Sequence, residues 1–111
     1  MRGQYGAALQ QLEGAKTSGA SAAEVENLRG VATMLAGDAK KALPMFDRAL
    51  ALAPALTEAR FNRAVALLRT GEPAKASAEL EQIWKDEHSH LRASAAYHNG
   101  LALDALKKPA E

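Results

Sequence analysis

The sequence predicts an all-α fold, a helical-repeat solenoid of six antiparallel helices, arranged as two full helix-turn-helix repeats flanked by two half repeats. Three observations carry that prediction. The chain repeats itself every 34 residues: Gly3, Gly37 and Gly71 fall in one column, Ala8, Ala42 and Ala76 in a second, and Leu12, Phe46 and Leu80 in a third. A self-similarity of this length marks a stacked array in which one unit buries its apolar face only against a neighbour. Alanine, the strongest helix former, supplies about a quarter of the chain, whereas aromatics, which favour strands, make up 5%. Helix start and stop signals also separate the apolar stripes at regular intervals.

The first helix is expected over residues 4–16, where Tyr5, Ala8, Leu9 and Leu12 lie at i, i+3, i+4 and i+7 and form one apolar stripe. Ser21 and Glu24 have the spacing of a capping box, in which serine oxygen and glutamate carboxylate reciprocally satisfy free backbone N–H groups. A second helix is therefore expected over residues 22–36, with Leu28, Val31, Ala32 and Leu35 as its stripe. Gly37 supplies a turn and Asp38 an N-cap for a third helix that ends near Ala53, before Pro54. Pro44 falls beyond the first turn of that helix. A proline there removes a backbone hydrogen bond and crowds the carbonyl four residues earlier, so a kink or a late helix start is expected.

Thr57 is the expected cap of a fourth helix running through about Arg69, and Gly71 repeats the turn. Pro73 stands at the favoured first position of a fifth helix that reaches about Asp86. The stretch containing His88 and His90 then adds two residues, since Gly30 aligns with Ala64 at a spacing of 34 but the next equivalent, Gly100, lies 36 further on. A sixth helix is expected over residues 91–106. The domain organisation is thus one array: a second-type helix in residues 1–20, full repeats in 21–54 and 57–87, and a first-type helix in 90–111.

These landmarks resemble the tetratricopeptide repeat, a 34-residue helix-turn-helix unit written roughly as W-x2-L-G-x2-Y, then A-x3-F, A and P. Gly30 matches the glycine of the family's first helix, Gly37 and Asp38 its turn, Ala42 and Phe46 its A-x3-F, and Ala49, Leu50 and Pro54 its closing positions. Ala64, Leu67, Gly71, Ala76 and Leu80 fit the same columns one repeat later. The family's tryptophan column holds Glu26 and Arg60 here, and its leucine column Arg29 and Arg63. Gly30, Ala64 and Gly100 are expected where the two helices of a repeat approach closely.

The resemblance implies a protein–protein interaction scaffold in which the first-type helices line a concave groove. It places Asn27, Val31 and Met34 there from the second helix, Phe61, Asn62, Val65 and Arg69 from the fourth, and Tyr97, His98 and Leu101 from the sixth. Such a mostly apolar surface with a few polar groups suits an extended or helical segment of another protein. One subgroup of the family grips C-terminal carboxylates with a lysine, asparagine and arginine clamp. Only Asn62 matches it, while Val31, Val65 and His98 depart from it, so the resemblance does not extend to that ligand. The resemblance also allows a non-catalytic array that presents substrates to a larger enzyme.

Both ends of the array read as unfinished, which suggests a piece excised from a longer one. Apolar surface is expected around Tyr5, Ala8 and Leu12 at one end and around Gly100, Leu103 and Leu106 at the other. The two surfaces are complementary, so a homo-oligomer joined head to tail through its open ends is a further expectation.

Composition narrows the alternatives. Fourteen basic and 13 acidic residues leave a net charge of +1 with no basic stripe, which argues against nucleic acid as a partner. No apolar run approaches the roughly 20 residues of a membrane span. The compartment stays open, cytoplasmic by default and periplasmic if a signal precedes the segment. With no cysteine, thiol catalysis and cysteine-based zinc sites are excluded. His88, His90 and His98 have no ligand spacing and read as solvated polar residues, and Trp84 reads as packing between repeats. No P-loop, G-x-S-x-G or H-E-x-x-H motif is present, so no catalytic residue, cofactor or metal is assigned.

Overall fold

Two left-handed glycines set the reversals of this chain. Gly37 has φ 101° and Gly71 φ 85°, a region that side chains with a Cβ rarely enter. Each closes a helix in the same way. The N–H groups of Gly37 and Asp38 donate to the carbonyls of Met34 and Thr33, and those of Gly71 and Glu72 donate to Leu68 and Leu67. This is the paired Schellman arrangement, which satisfies carbonyls that a helix end would otherwise leave free.

The computed structural model describes residues 21–107, which form five helices: α1 (Ala22–Leu35), α2 (Ala39–Leu52), α3 (Thr57–Arg69), α4 (Pro73–Lys85) and α5 (Arg92–Lys107). No strand occurs among the described residues. The fold is an all-α helical-repeat solenoid, with α1–α2 and α3–α4 as helix-turn-helix units and α5 as the first-type helix of the next. The helix expected over residues 4–16 lies outside the described residues, as do Tyr5, Ala8 and Leu12.

The starts of the helices follow the cap chemistry with one correction. Glu24 N donates to Ser21 Oγ at 3.2 Å and Ser21 N to Glu24 Oε1 at 3.1 Å, closing the capping box of α1. Lys41 N donates to Asp38 Oδ1 at 3.0 Å at the start of α2. Thr57, expected as a cap, is instead the first helical residue of α3, and Leu56 at the cap position contributes no side-chain hydrogen bond. Pro73 opens α4 as its first residue. Pro44 does not delay its helix: α2 begins at Ala39 and runs through the proline.

Packing follows the repeat. One cluster joins Met34 of α1, Ala42 and Phe46 of α2, and Val65 and Ala66 of α3; the next joins Ala64 of α3, Ala76, Leu80 and Ile83 of α4, and Ala95 of α5. Phe61 packs against both and makes them continuous. Trp84 lies half-buried against the second cluster, between α4 and α5. Ala42, Ala49, Ala59, Ala64, Ala66, Ala76, Ala95 and Ala102 have no exposed surface, so the helices meet through methyl groups and lie close together. Of the three small residues expected at a crossing, Gly30 and Ala64 are buried there, but Gly100 is exposed with no atom within 4 Å of its absent Cβ. The difference is one of cover: among the described residues no helix follows α5.

Candidate protein-binding face

The first-type helices α1, α3 and α5 stand side by side along one face, and side chains bridge them in sequence. Asn62 Nδ2 on α3 donates to Asn27 Oδ1 on α1 at 3.0 Å. Phe61 on α3 meets the edge of His98 on α5 with ring centroids 5.2 Å apart and planes at 89°. Tyr97 packs edge-on against the same imidazole at 5.3 Å. His98 Nδ1 lies 2.8 Å from the Ser94 carbonyl oxygen, which can only accept, so Nδ1 donates and the ring is held in place.

The ten groove residues read from the sequence divide by burial. Val31, Phe61, Asn62 and His98 are half-buried, Arg69 is exposed, and Tyr97 and Leu101 are exposed by 66% and 44%. Asn27, Met34 and Val65 are instead buried to within 8%. Met34 and Val65 belong to the first core cluster, and Asn27 is engaged by Asn62, so these three support the face from below. His98, read as solvated, is half-buried against Phe61 because α5 leans onto α3. The accessible part of the face is an apolar and aromatic row, from Val31 through Phe61 to Tyr97 and Leu101.

Charge is concentrated on the other side of α3. A cleft of about 440 Å³ is lined by Asp47, Arg60, Arg63, Lys75, Glu79 and Gln82 among others. Arg63 Nη1 donates to Asp47 Oδ1 of α2 at 3.0 Å, and its Nη2 donates to Glu79 of α4. Arg60 Nη2 donates to Glu79 Oε2 at 3.1 Å and to Gln82 Oε1 at 2.5 Å. Burial alone would lower the proton affinity of the Arg63 guanidinium. Hydrogen bonds and charge from Asp47 and Glu79 outweigh it and hold the pKa above the ordinary arginine value. Every carboxylate and guanidinium named here already has a protein partner, so the cluster ties α2, α3 and α4 together. It escaped the sequence reading because its members come from three helices. The available signal was a pair of arginines, Arg60 and Arg63, three apart in columns the repeat fills with apolar residues.

On α5, Gly100, Leu103 and Leu106 are all exposed, Leu103 by 46% and Leu106 by 49%. His90 Nε2 lies 3.6 Å from Glu58 Oε2 at the surface. Among the described residues no group of three His, Cys, Asp or Glu side chains could hold a metal ion. Within the same residues no helix is long and apolar enough to cross a membrane.

A family model described as tetratricopeptide repeat matches residues 33–103, more than half of the chain. No curated protein and no solved structure matches.

Proposed function

This chain belongs to the tetratricopeptide repeat family, whose repeats are generally protein–protein interaction modules and typically non-catalytic scaffolds, and on that premise we propose that its α1–α3–α5 face binds a segment of another protein. The observation that carries the reading is the row Val31, Phe61, Tyr97 and Leu101, apolar or aromatic side chains left at least partly open along the three first-type helices. A monomeric surface that keeps large apolar side chains together, with polar groups at the rim, is suited to a protein ligand. Phe61 and Tyr97 supply rigid contact area with little rotamer entropy to lose, and Asn62 and Arg69 supply the hydrogen bonds that fix register. An extended or helical segment lying across the three helices would meet one anchor each on α1 and α3 and two on α5. The partner is another protein or peptide rather than nucleic acid.

The test uses affinity capture from the cells of origin with the full-length protein, compared with a Tyr97→Glu, Leu101→Glu variant. Both side chains are exposed, so helix content and unfolding midpoint should stay at the wild-type values. Proteins captured by the wild type and lost with the variant place the contact on this face. A capture profile unchanged by the double substitution discards it.

A further inference from the structure

Ala93, Ala96, Gly100 and Leu103 lie at i, i+3, i+7 and i+10 on α5 and share one side of that helix. All four are exposed, and a Cβ at Gly100 would meet nothing within 4 Å. Trp84 borders the same side through a cleft of about 470 Å³ that it shares with Ala93 and Ala96.

The equivalent positions on the two preceding first-type helices are covered, and their cover shows what this side accepts. On α1, Gly30 receives the Phe46 ring of α2, and Glu26 Oε2 accepts from Arg48 Nε at 3.2 Å. On α3, Ala64 shares a cluster with Leu80 of α4, and Arg60 donates to Gln82. Both pairs link the same columns: 30 to 46 and 64 to 80, then 26 to 48 and 60 to 82. A helix covering α5 must therefore bring a large apolar residue to Gly100. In the other column it must bring one that needs no charge, because Ala96 replaces Glu26 and Arg60.

Residues 4–16 of this sequence meet both conditions. They carry Leu12 in the column of Phe46 and Leu80, and Gly14 in the column of Arg48 and Gln82. Ala8 and Ala15 stand where Ala42 with Ala76, and Ala49 with Ile83, close the two observed repeats. We propose that residues 4–16 of a second copy dock on α5, with Leu12 of one chain against Gly100 of the other and Gly14 against Ala96. Each copy offers one such segment and one α5 face, so the contact is heterologous, and copies add head to tail into open chains or a ring.

The experiment is light-scattering mass measured on the full chain from micromolar to millimolar concentration. The wild type is expected to rise through multiples of the monomer mass. Gly100→Leu fills the seat at an exposed helical position where a Cβ meets nothing within 4 Å, so it should keep the helical circular dichroism and remain monomeric. Leu12→Asp should also be monomeric alone, because it retains the seat but loses the occupant. Mixed in equal amounts, these two variants have one intact surface each and should give a species of twice the monomer mass and nothing larger. A wild type that stays monomeric throughout overturns the proposal, including the case in which the segment folds onto its own α5. So does assembly of Gly100→Leu at the wild-type concentration, or a mixture that remains monomeric.

Discussion

A Cβ placed on Gly30 would lie 2.6 Å from Cε1 of Phe46, closer than carbon atoms approach, so the crossing of α1 and α2 depends on that one missing methyl group. Phe46 has no exposed surface and cannot swing aside, since Ala42, Met34, Val65 and Ala66 surround it. The same column at Gly100 is open. One sequence position therefore has opposite energetics in two repeats.

Gly30→Ala and Gly100→Ala should accordingly move stability in opposite directions. Overpacking costs about 1–3 kcal/mol, toward the upper end at Gly30 where three Phe46 ring atoms would lie under 3.0 Å, against a helix-propensity gain of about 0.5–1 kcal/mol, so the net effect is destabilising. At Gly100 there is no clash and the propensity gain of about 0.5–1 kcal/mol stands alone. Urea unfolding of the two variants at one low protein concentration reads the sign directly. Stabilisation by Gly30→Ala would mean that the Phe46 ring is not seated as described.

Pro44→Ala should stabilise the chain. Pro44 is exposed within α2, five residues after its first residue Ala39, so the ring contributes little burial there while removing the hydrogen bond to Lys40 and crowding its carbonyl. An interior proline is about 3 kcal/mol less favourable than alanine, and at an exposed site solvent recovers part of that penalty by hydrating the freed carbonyl. A gain of about 1–2 kcal/mol in the midpoint-derived free energy is expected. No change, or a loss, would show that the proline stabilises the chain through its unfolded ensemble instead.

Much of this architecture is local and so was legible in the sequence. The left-handed glycines 37 and 71, the Ser21–Glu24 capping box and the Asp38 cap each act within four residues, and the 34-residue columns report directly on the stacking. What could not be read was depth. Met34 and Val65 share the periodicity of Val31 and Leu101, and only the close approach of α1 to α3 decides that the former two are core. His98 looked solvated because its partner, Phe61, lies 37 positions away in sequence. The arginine cluster of Arg60 and Arg63 needs Asp47 and Glu79 from two other helices before it has a meaning. Gly100 fits its column, but a column does not say whether a neighbour is present.

Ser77 and Asn99 form a buried tie of the same long-range kind. Ser77 Oγ donates to Asn99 Oδ1 at 2.7 Å, joining α4 to α5 with both residues within 9% of full burial. Ser77→Ala leaves the asparagine oxygen without this donor in a buried contact and should cost about 1–3 kcal/mol. Adding Asn99→Leu removes the stranded group and should recover most of that loss, because two apolar residues replace a satisfied polar pair nearly neutrally. A double-mutant cycle by chemical denaturation measures the coupling. Additive losses would mean that the two side chains do not depend on each other.

Tyr97→Ala separates the proposed binding face from the fold. The side chain is 66% exposed and meets the His98 ring edge-on, so unfolding free energy should change by less than about 0.5 kcal/mol. On the proposed binding face an exposed aromatic of this kind should contribute about 1–3 kcal/mol, a loss of roughly 5- to 150-fold in affinity for any partner captured through that face. Val65→Ala provides the contrast, since a buried valine supports the face by packing and its loss should lower stability first and binding only secondarily. Equal losses of affinity from both variants, with stability unchanged in both, would contradict the division of the row into exposed anchors and buried supports.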